Sequence, residues 1–384
     1  MDLNDYRIRI DEIDKSMTAL FLERMAVSQE IADYKLQHGL PIPDPTRERE
    51  KLSALSEGVT EPMSAYLRTL YSMIFELSRA YQRAYLQKEC PSESALGEKV
   101  RAAVQNIKEM LPPSPVVACQ GVEGAYSQIA CEKLFQAPNI MYFNSFEGVF
   151  SAIEHGLCRY GVLPVENSTA GSVNAIYDLM MKYDFSIVRS ARIKADHCLL
   201  VNKGTAIDGI SEIYSHEQAL AQCSGFLKKL GNIKITPCEN TAAAAKMLFE
   251  SGRKDAAAIA SSSCAELYGL DCLCKSIQDQ GGNYTRFICV SKQPEIYPGA
   301  DRTSIMLIVP HKPGALYHVL SRFYALGINL IKLESRPIPN SDFEFMFYFD
   351  IATSVYSDAF TQMFEGLDET CSGVKYLGSY LEVV

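Results

Sequence analysis

Four residues, Pro112-Pro113-Ser114-Pro115, divide this 384-residue chain into two kinds of sequence. Prolines so dense fix φ and remove backbone donors, so neither a helix nor a paired strand runs through them. Before them, residues to about Lys88 place apolar side chains at helical spacing, with one Gly-Pro-rich interruption from Gly39 to Pro45. A polar stretch follows, and 99–111 reads as one short helix. After the prolines, short apolar strands alternate with helical patterns. The strands are expected at 116–119, 160–164, 186–193, 198–202, 256–260 and 287–291. Beyond Gly299 a last unit reads strand 303–310, helix 315–326, strands 329–336 and 343–351, helix 356–365 and strand 374–381. That is the βαββαβ order of a ferredoxin-like α+β fold. The pattern predicts a multidomain chain: an all-α domain over 1–90, a linker with a short helix over 91–114, an α/β domain over 115–293 and the α+β unit over 302–384.

The net charge of −9 argues against a general nucleic-acid binder but leaves room for a local basic pocket. Of twelve cysteines only Cys272 and Cys274 sit close together, at neither a zinc-ribbon nor a redox spacing. The start, Met1-Asp2-Leu3-Asn4-Asp5, shows no basic segment followed by an apolar run, and no apolar stretch is long enough to span a bilayer. Reduced thiols in a cytoplasm fit these features. There is no Walker motif, and the six histidines, His197 and His216 among them, lack metal-ligand spacing and read as structural. No metal or cofactor is expected.

On the first helix Ile10, Ile13, Met17, Leu20, Phe21, Val27 and Ile31 form an apolar stripe. At about 100° per residue, Arg24 falls roughly 20° from Met17 and Lys35 roughly on it. Two cations within such a stripe either snorkel to water or face a cavity that receives an anion. Asp44, Arg47 and Glu48 open the second helix, while Ser78 and Gln82 share one face of the third. Each alone suits a cap or a surface. Together, the set Arg7, Arg24, Lys35, Asp44, Arg47, Glu48, Ser78 and Gln82 resembles the all-helical chorismate mutase domain. The resemblance implies a pericyclic rearrangement that needs no nucleophile, only a held compact conformer and stabilised charge on the breaking ether oxygen. It implies that Arg7 and Arg24 hold carboxylates with Arg47 assisting. Lys35 and Gln82 donate to the ether oxygen, Glu48 binds the ring hydroxyl beside Asp44, and Ser78 helps hold a carboxylate. Arg7 lies about 80° off the Met17 direction and more than two turns nearer the helix start. It is therefore poorly placed to share a site with Lys35 of its own chain. In the family this arginine crosses into the partner's site, which implies a homodimer, with a tetramer left open.

In the middle region, three segments join strands to helices or lead into strands: 121–127, 164–172 and 283–287. Small hydroxyl-rich turns suit anions at helix starts, but equally suit plain capping. Glu166-Asn167-Ser168-Thr169, Ser215-His216, Ala260-Ser261-Ser262, the run 266–270 and Thr285-Arg286-Phe287 resemble prephenate dehydratase. That resemblance implies two α/β lobes like a periplasmic binding protein, with the site in the cleft. Glu217 and Val122 stand where the family commonly has proline. Thr285 is implied as the catalytic residue, with Glu166, Asn167, Ser168 and Thr169 as substrate-binding candidates. Arg286 either holds a carboxylate or is structural.

In the last unit, Lys312-Pro313-Gly314-Ala315-Leu316, Asn329 and Glu334-Ser335-Arg336-Pro337 read as turn and cap signals. They also resemble a phenylalanine-responsive ACT domain. This implies L-phenylalanine bound at an interface between two such domains by Gly314, Ala315, Leu316, Asn329, Glu334, Ser335 and Arg336, and feedback inhibition of the dehydratase. The expected function is conversion of chorismate to prephenate and of prephenate to phenylpyruvate. Two other readings stay in view: a non-catalytic small-molecule binding protein, and a dehydratase whose helical domain only dimerises.

Overall fold

The computed structural model describes residues 2–89, 95–312, 314–338, 344–364, 367 and 371–384. Pro313, Phe343 and Glu365 of the expected elements lie outside the described residues. The chain packs as two compact units, Met1–Ala102 with Met306–Lys375, and Ala103–Ile305 with Tyr376–Val384.

The first unit opens with α1 (Leu3–Gln37), α2 (Pro45–Ser56), α3 (Met63–Glu89) and the start of α4 (Ala95–Gln105). The Asp2 carboxylate caps α1 by accepting from the Asn4 and Asp5 amides at 2.8 and 2.9 Å, and Asp5 returns the contact to the Asp2 amide at 2.8 Å. Asp44 caps α2 by accepting from the Arg47 amide at 3.0 Å, and Pro45 takes the first helical position. α3 packs against both α1 and α2. Ser28 and Ala32 are the buried residues of α1, small enough for close approach to α3.

This corrects one expectation. The apolar stripe of α1 is not a face that the chain buries. Ile10, Ile13, Met17 and Leu20 are between 47 % and 65 % exposed, and Val27 and Ile31 are also exposed. The reason is geometric. Ser28 and Ala32 centre the α3 contact roughly 40° to one side of Met17, and no described element covers residues 3–20.

The same unit holds most of a βαββαβ module: β12 (Arg302–Ile308), α12 (Ala315–Ala325), β13 (Asn329–Pro337), β14 (Phe345–Ala352), α13 (Asp358–Phe364) and β15 (Gly373–Tyr380). Its sheet order is β13-β14-β12-β15, and α12 and α13 pack against α3.

The second unit has two sheets. The first contains β1 (Val116–Gln120), β2 (Asn139–Phe143), β3 (Tyr160–Asn167), β4 (Gly171–Ser172), β5 (Ser186–Lys194), β11 (Tyr284–Ser291) and β16 (Glu382–Val383). Its order is β16-β5-β11-β3-β1-β2, with β4 on β3. Helices α5 (Tyr126–Leu134), α6 (Phe146–Glu154) and α7 (Asn174–Lys182) belong to this lobe. The other sheet contains β6 (Cys198–Val201), β7 (Glu212–Ser215), β8 (Lys234–Pro237), β9 (Ala256–Ala260) and β10 (Asp271–Cys274), ordered β10-β6-β9-β7-β8. Helices α8 (Glu217–Gln222), α9 (Ser224–Leu230), α10 (Thr241–Ser251) and α11 (Ser262–Tyr268) complete it. The all-alanine-and-isoleucine β9 is wholly buried between its neighbours, as a strand covered on both faces should be.

Several boundaries move. β11 starts at Tyr284, ahead of the apolar run, because Thr285 and Arg286 pair with both β3 and β5. The short helix before the prolines spans Ala95–Gln105, not 99–111.

Candidate active sites

The helical site forms where α1, α2 and α3 meet. Arg24 reaches across to α3 and donates to Ser78 Oγ, with its guanidinium 5.7 Å from the Phe75 ring centre. Desolvation holds Arg24 below the usual arginine range. A cation kept in such a place is drawn to any anion that enters. Lys35 Nζ donates to the Ile42 carbonyl. Gln82 is buried, one turn beyond Ser78, and its Oε1 meets no hydrogen-bond partner. A buried amide with an idle oxygen is costly unless a ligand or rotation serves it. Glu48 projects from α2 to α3 and pairs with Arg79, which also pairs with Glu76.

Arg24, Lys35, Glu48, Ser78 and Gln82 thus lie on the α1–α2–α3 junction, though Lys35 is engaged with the chain. Asp44 serves as a cap, and Arg47 is an exposed residue 3.7 Å from Glu50. Arg7 is exposed on α1, about 25 Å of helix rise from Arg24. A single chain does not bring it to the junction. Arg79 and Glu76 escaped sequence reasoning. Their i,i+3 spacing beside Ser78 was the available signal.

The second site is a cleft of about 370 Å³ within the second unit. One lobe lines it with Gln120, Tyr126, Phe146, Asn167, Asn283 and Thr285, and the other with His216, Gln218, Gln222 and Glu239. His197 sits between them. The antiparallel register places Thr285 opposite Asn167. Asn167 Nδ2 donates to Thr285 Oγ1 at 2.9 Å and to Asn283 Oδ1 at 2.8 Å. Asn283 Nδ2 in turn donates to Gln222 Oε1 at 2.9 Å, and His197 Nε2 lies 3.0 Å from the same oxygen. Gln222 Nε2 is buried without a partner. The network fixes the direction of the threonine: its oxygen already accepts, so its proton is left to be given elsewhere. Burial holds the His197 imidazole below its ordinary range, hence neutral.

The remaining sequence candidates divide. Ser168 is spent on backbone: its Oγ donates to the Gly282 carbonyl at 3.0 Å and accepts from the Tyr284 amide at 2.9 Å. The Thr169 amide donates to Asn167 Oδ1 at 3.0 Å. Arg286 is buried with its Nε 3.5 Å from Glu166, and neither lines the cleft. His197 and His216, read as structural, do line the cleft, while each also holds local structure; His216 accepts from the Gln218 amide at 3.3 Å. Gln222, which the sequence reading missed, and Asn283, which opens the 283–287 segment, are amides distant in sequence, joined only by folding.

Gly124 sits where the lobes approach. It has φ +87°, and a Cβ there would lie 2.9 Å from Cys264 Sγ. The Cys264 thiol and Ser261 hydroxyl both donate to its carbonyl, at 3.3 and 3.4 Å.

In the βαββαβ module a depression of about 360 Å³ is lined by Val309, Pro310, His311, Lys312, Ala315, Leu316, Phe345 and Phe347. Ala315 and Leu316 are among these lining residues, and Gly314 caps α12 with φ +85°. Asn329, Glu334, Ser335 and Arg336 lie along β13, the edge strand, and do not line it.

Among the described residues no cluster of metal-ligating side chains occurs, no helix is long and apolar enough to cross a membrane, and eleven cysteines are free thiols.

Comparison with known proteins agrees with this geometry. The chorismate mutase type II family model matches residues 6–83 and the prephenate dehydratase model residues 117–295. The chain is 30 % identical to the bifunctional chorismate mutase/prephenate dehydratase of Escherichia coli (strain K12), over 97 % of this chain and 95 % of that one. It is 38 % identical to arogenate dehydratase/prephenate dehydratase 2 of Arabidopsis thaliana, over 69 % of this chain and 72 % of that protein. The structure of prephenate dehydratase from Arthrobacter aurescens in complex with L-Phe superposes with a TM-score of 0.64 at 27 % identity, covering 69 % of this chain and 89 % of that one. With a mutase-type helical junction and a dehydratase-type cleft on one polypeptide, the chain belongs to the bifunctional chorismate mutase/prephenate dehydratase family.

Proposed function

We infer that this enzyme rearranges chorismate to prephenate at the helical junction and converts prephenate to phenylpyruvate in the cleft, two steps toward phenylalanine. The observation that carries the reading is the Asn167–Thr285 bond, which turns the threonine hydroxyl into a donor facing a substrate-sized cavity. In the dehydration, the ring carboxylate leaves as carbon dioxide and its bonding pair enters the ring. The ring hydroxyl leaves as water, taking a proton along the Thr285 hydrogen bond. Threonine is a weak acid, so aromatisation drives the step and Thr285 acts by position. In the rearrangement Arg24 and Ser78 hold a carboxylate, Lys35 leaves Ile42 for the ether oxygen that Gln82 also serves, and Glu48 takes the ring hydroxyl.

The exposed stripe of α1 supports a homodimer in which each Arg7 completes the partner's junction. The edge position of β13 and the depression beside Ala315 and Leu316 support an ACT-type module that binds phenylalanine and restrains the dehydratase. To do so, phenylalanine must bind the restrained state more tightly. Free, mostly buried thiols suit a reducing cytoplasm.

The test uses purified full-length protein. Thr285→Ala is expected to lower phenylpyruvate formation by at least about 10³-fold while chorismate still yields prephenate. Lys35→Ala is expected to do the reverse and spare turnover of added prephenate. A folded Thr285→Ala protein that still dehydrates prephenate at wild-type rate refutes the assignment.

A further inference from the structure

We propose that Arg79 is a positioning residue of the mutase site, holding Glu48 at the ring-hydroxyl position. The inference rests on the mutase reading of that junction. Arg79 stands one residue past Ser78, on the helix that carries Gln82. Its guanidinium spans two carboxylates, Glu48 of α2 and Glu76 of α3. Only 15 % of its side chain is exposed, against 28 % for Glu48 and 9 % for Glu76.

A lone half-buried carboxylate on a short helix would turn to water or to another cation, and Arg24 lies within electrostatic reach of Glu48. Were Glu48 to collapse onto Arg24, both groups would be lost to substrate. A planar guanidinium that engages two acids in fixed directions prevents this, because its second carboxylate, Glu76, fixes the guanidinium itself. Glu76 is one turn before Arg79 on the same helix, so the anchor is rigid.

The mechanism is distinct from a helix-packing role, because its effect must pass through Glu48. Arg79→Met is expected to cut mutase kcat/KM about 30-fold, mostly through KM. Arg79→Lys, which keeps the charge but cannot fork, should recover part of this loss. Dehydration of added prephenate should stay within about twofold in each variant. The deciding measurement is a double-mutant cycle with Glu48→Gln. If Arg79 acts through Glu48, Arg79→Met adds less than about threefold to the loss from Glu48→Gln. Losses that multiply, or an Arg79→Lys no better than Arg79→Met, overturn the proposal. An innocuous Glu48→Gln instead removes the mutase assignment of Glu48, a separate failure.

Discussion

A single histidine illustrates how the cleft binds stability to chemistry. His197 is 3 % exposed and wedged against Tyr126 and Gln222. Desolvation depresses its pKa in the folded chain, while the unfolded chain protonates an ordinary histidine near pH ~6.5. Between those two values the unfolded state binds more protons. Stability is therefore fully present above about pH 6.5 and is lost as pH falls toward the folded value. His197→Gln removes that linkage. The fall in urea midpoint between pH 7.5 and pH 5.5 is expected to be smaller in the variant than in the wild type; equal falls would show that His197 carries no linkage. Sequence spacing excluded a metal role for this histidine but gave no hint of its position, because its partner Gln222 lies on another element. Thr285 and Asn167 were legible as parts of motifs. Their hydrogen bond was not, since it depends on the pairing of β3 with β11.

Elements with strong periodicity were legible, and those without it were not. The four strands of the βαββαβ module were expected almost where they lie. β2, β8 and β10 escaped, because each is a sheet edge with half-exposed residues and no long apolar run. β7 is buried and central, yet it has four residues and begins with Glu212, whose charge is met by Lys234 at 2.8 Å and Arg253 at 2.5 Å. The α1 stripe was legible from its spacing, but what covers it was not, because spacing along one helix says nothing of what lies against its face. If a second copy covers it, an isologous contact repeats each residue across the two-fold axis. Ile13→Glu then buries two carboxylates in an apolar seam, at about 2–5 kcal/mol each. The variant is expected to sediment as a monomer and to lose mutase activity at least about 100-fold, since Arg7 can no longer reach a junction. Dehydration of added prephenate should persist. An Ile13→Glu protein with wild-type mass and mutase rate would rule out α1 as the seam.

At the scale of the whole molecule, the chain's end matters most. β15 closes the sheet of the βαββαβ module, and after the single residue Leu381, β16 lies parallel to β5 in the sheet that holds Thr285. Ser379 and Tyr380 anchor the passage through hydroxyl contacts to Thr303 at 2.8 Å and Ser304 at 2.7 Å. Gly378 permits it: at φ +138° a Cβ would lie 2.1 Å from the Ile187 carbonyl of β5. Glu382 then sets its carboxylate, 2 % exposed, between Arg192 at 2.6 Å and Arg302 at 2.9 Å. Arg192 neighbours Ile193, the residue opposite Thr285. If phenylalanine restrains the dehydratase through its own module, a signal has a short covalent and hydrogen-bonded route here, from β15 into β16, across β5, to β11. Glu382→Ala leaves Arg302 without its buried counter-ion and is expected to cost about 2–3 kcal/mol, less than a fully buried pair because Arg192 is half exposed. At temperatures where the variant stays folded, its basal dehydratase rate should hold within about threefold, while the phenylalanine concentration giving half inhibition rises at least about tenfold. Inhibition curves that superpose would show that the C-terminal strand stabilises the sheet without carrying the signal.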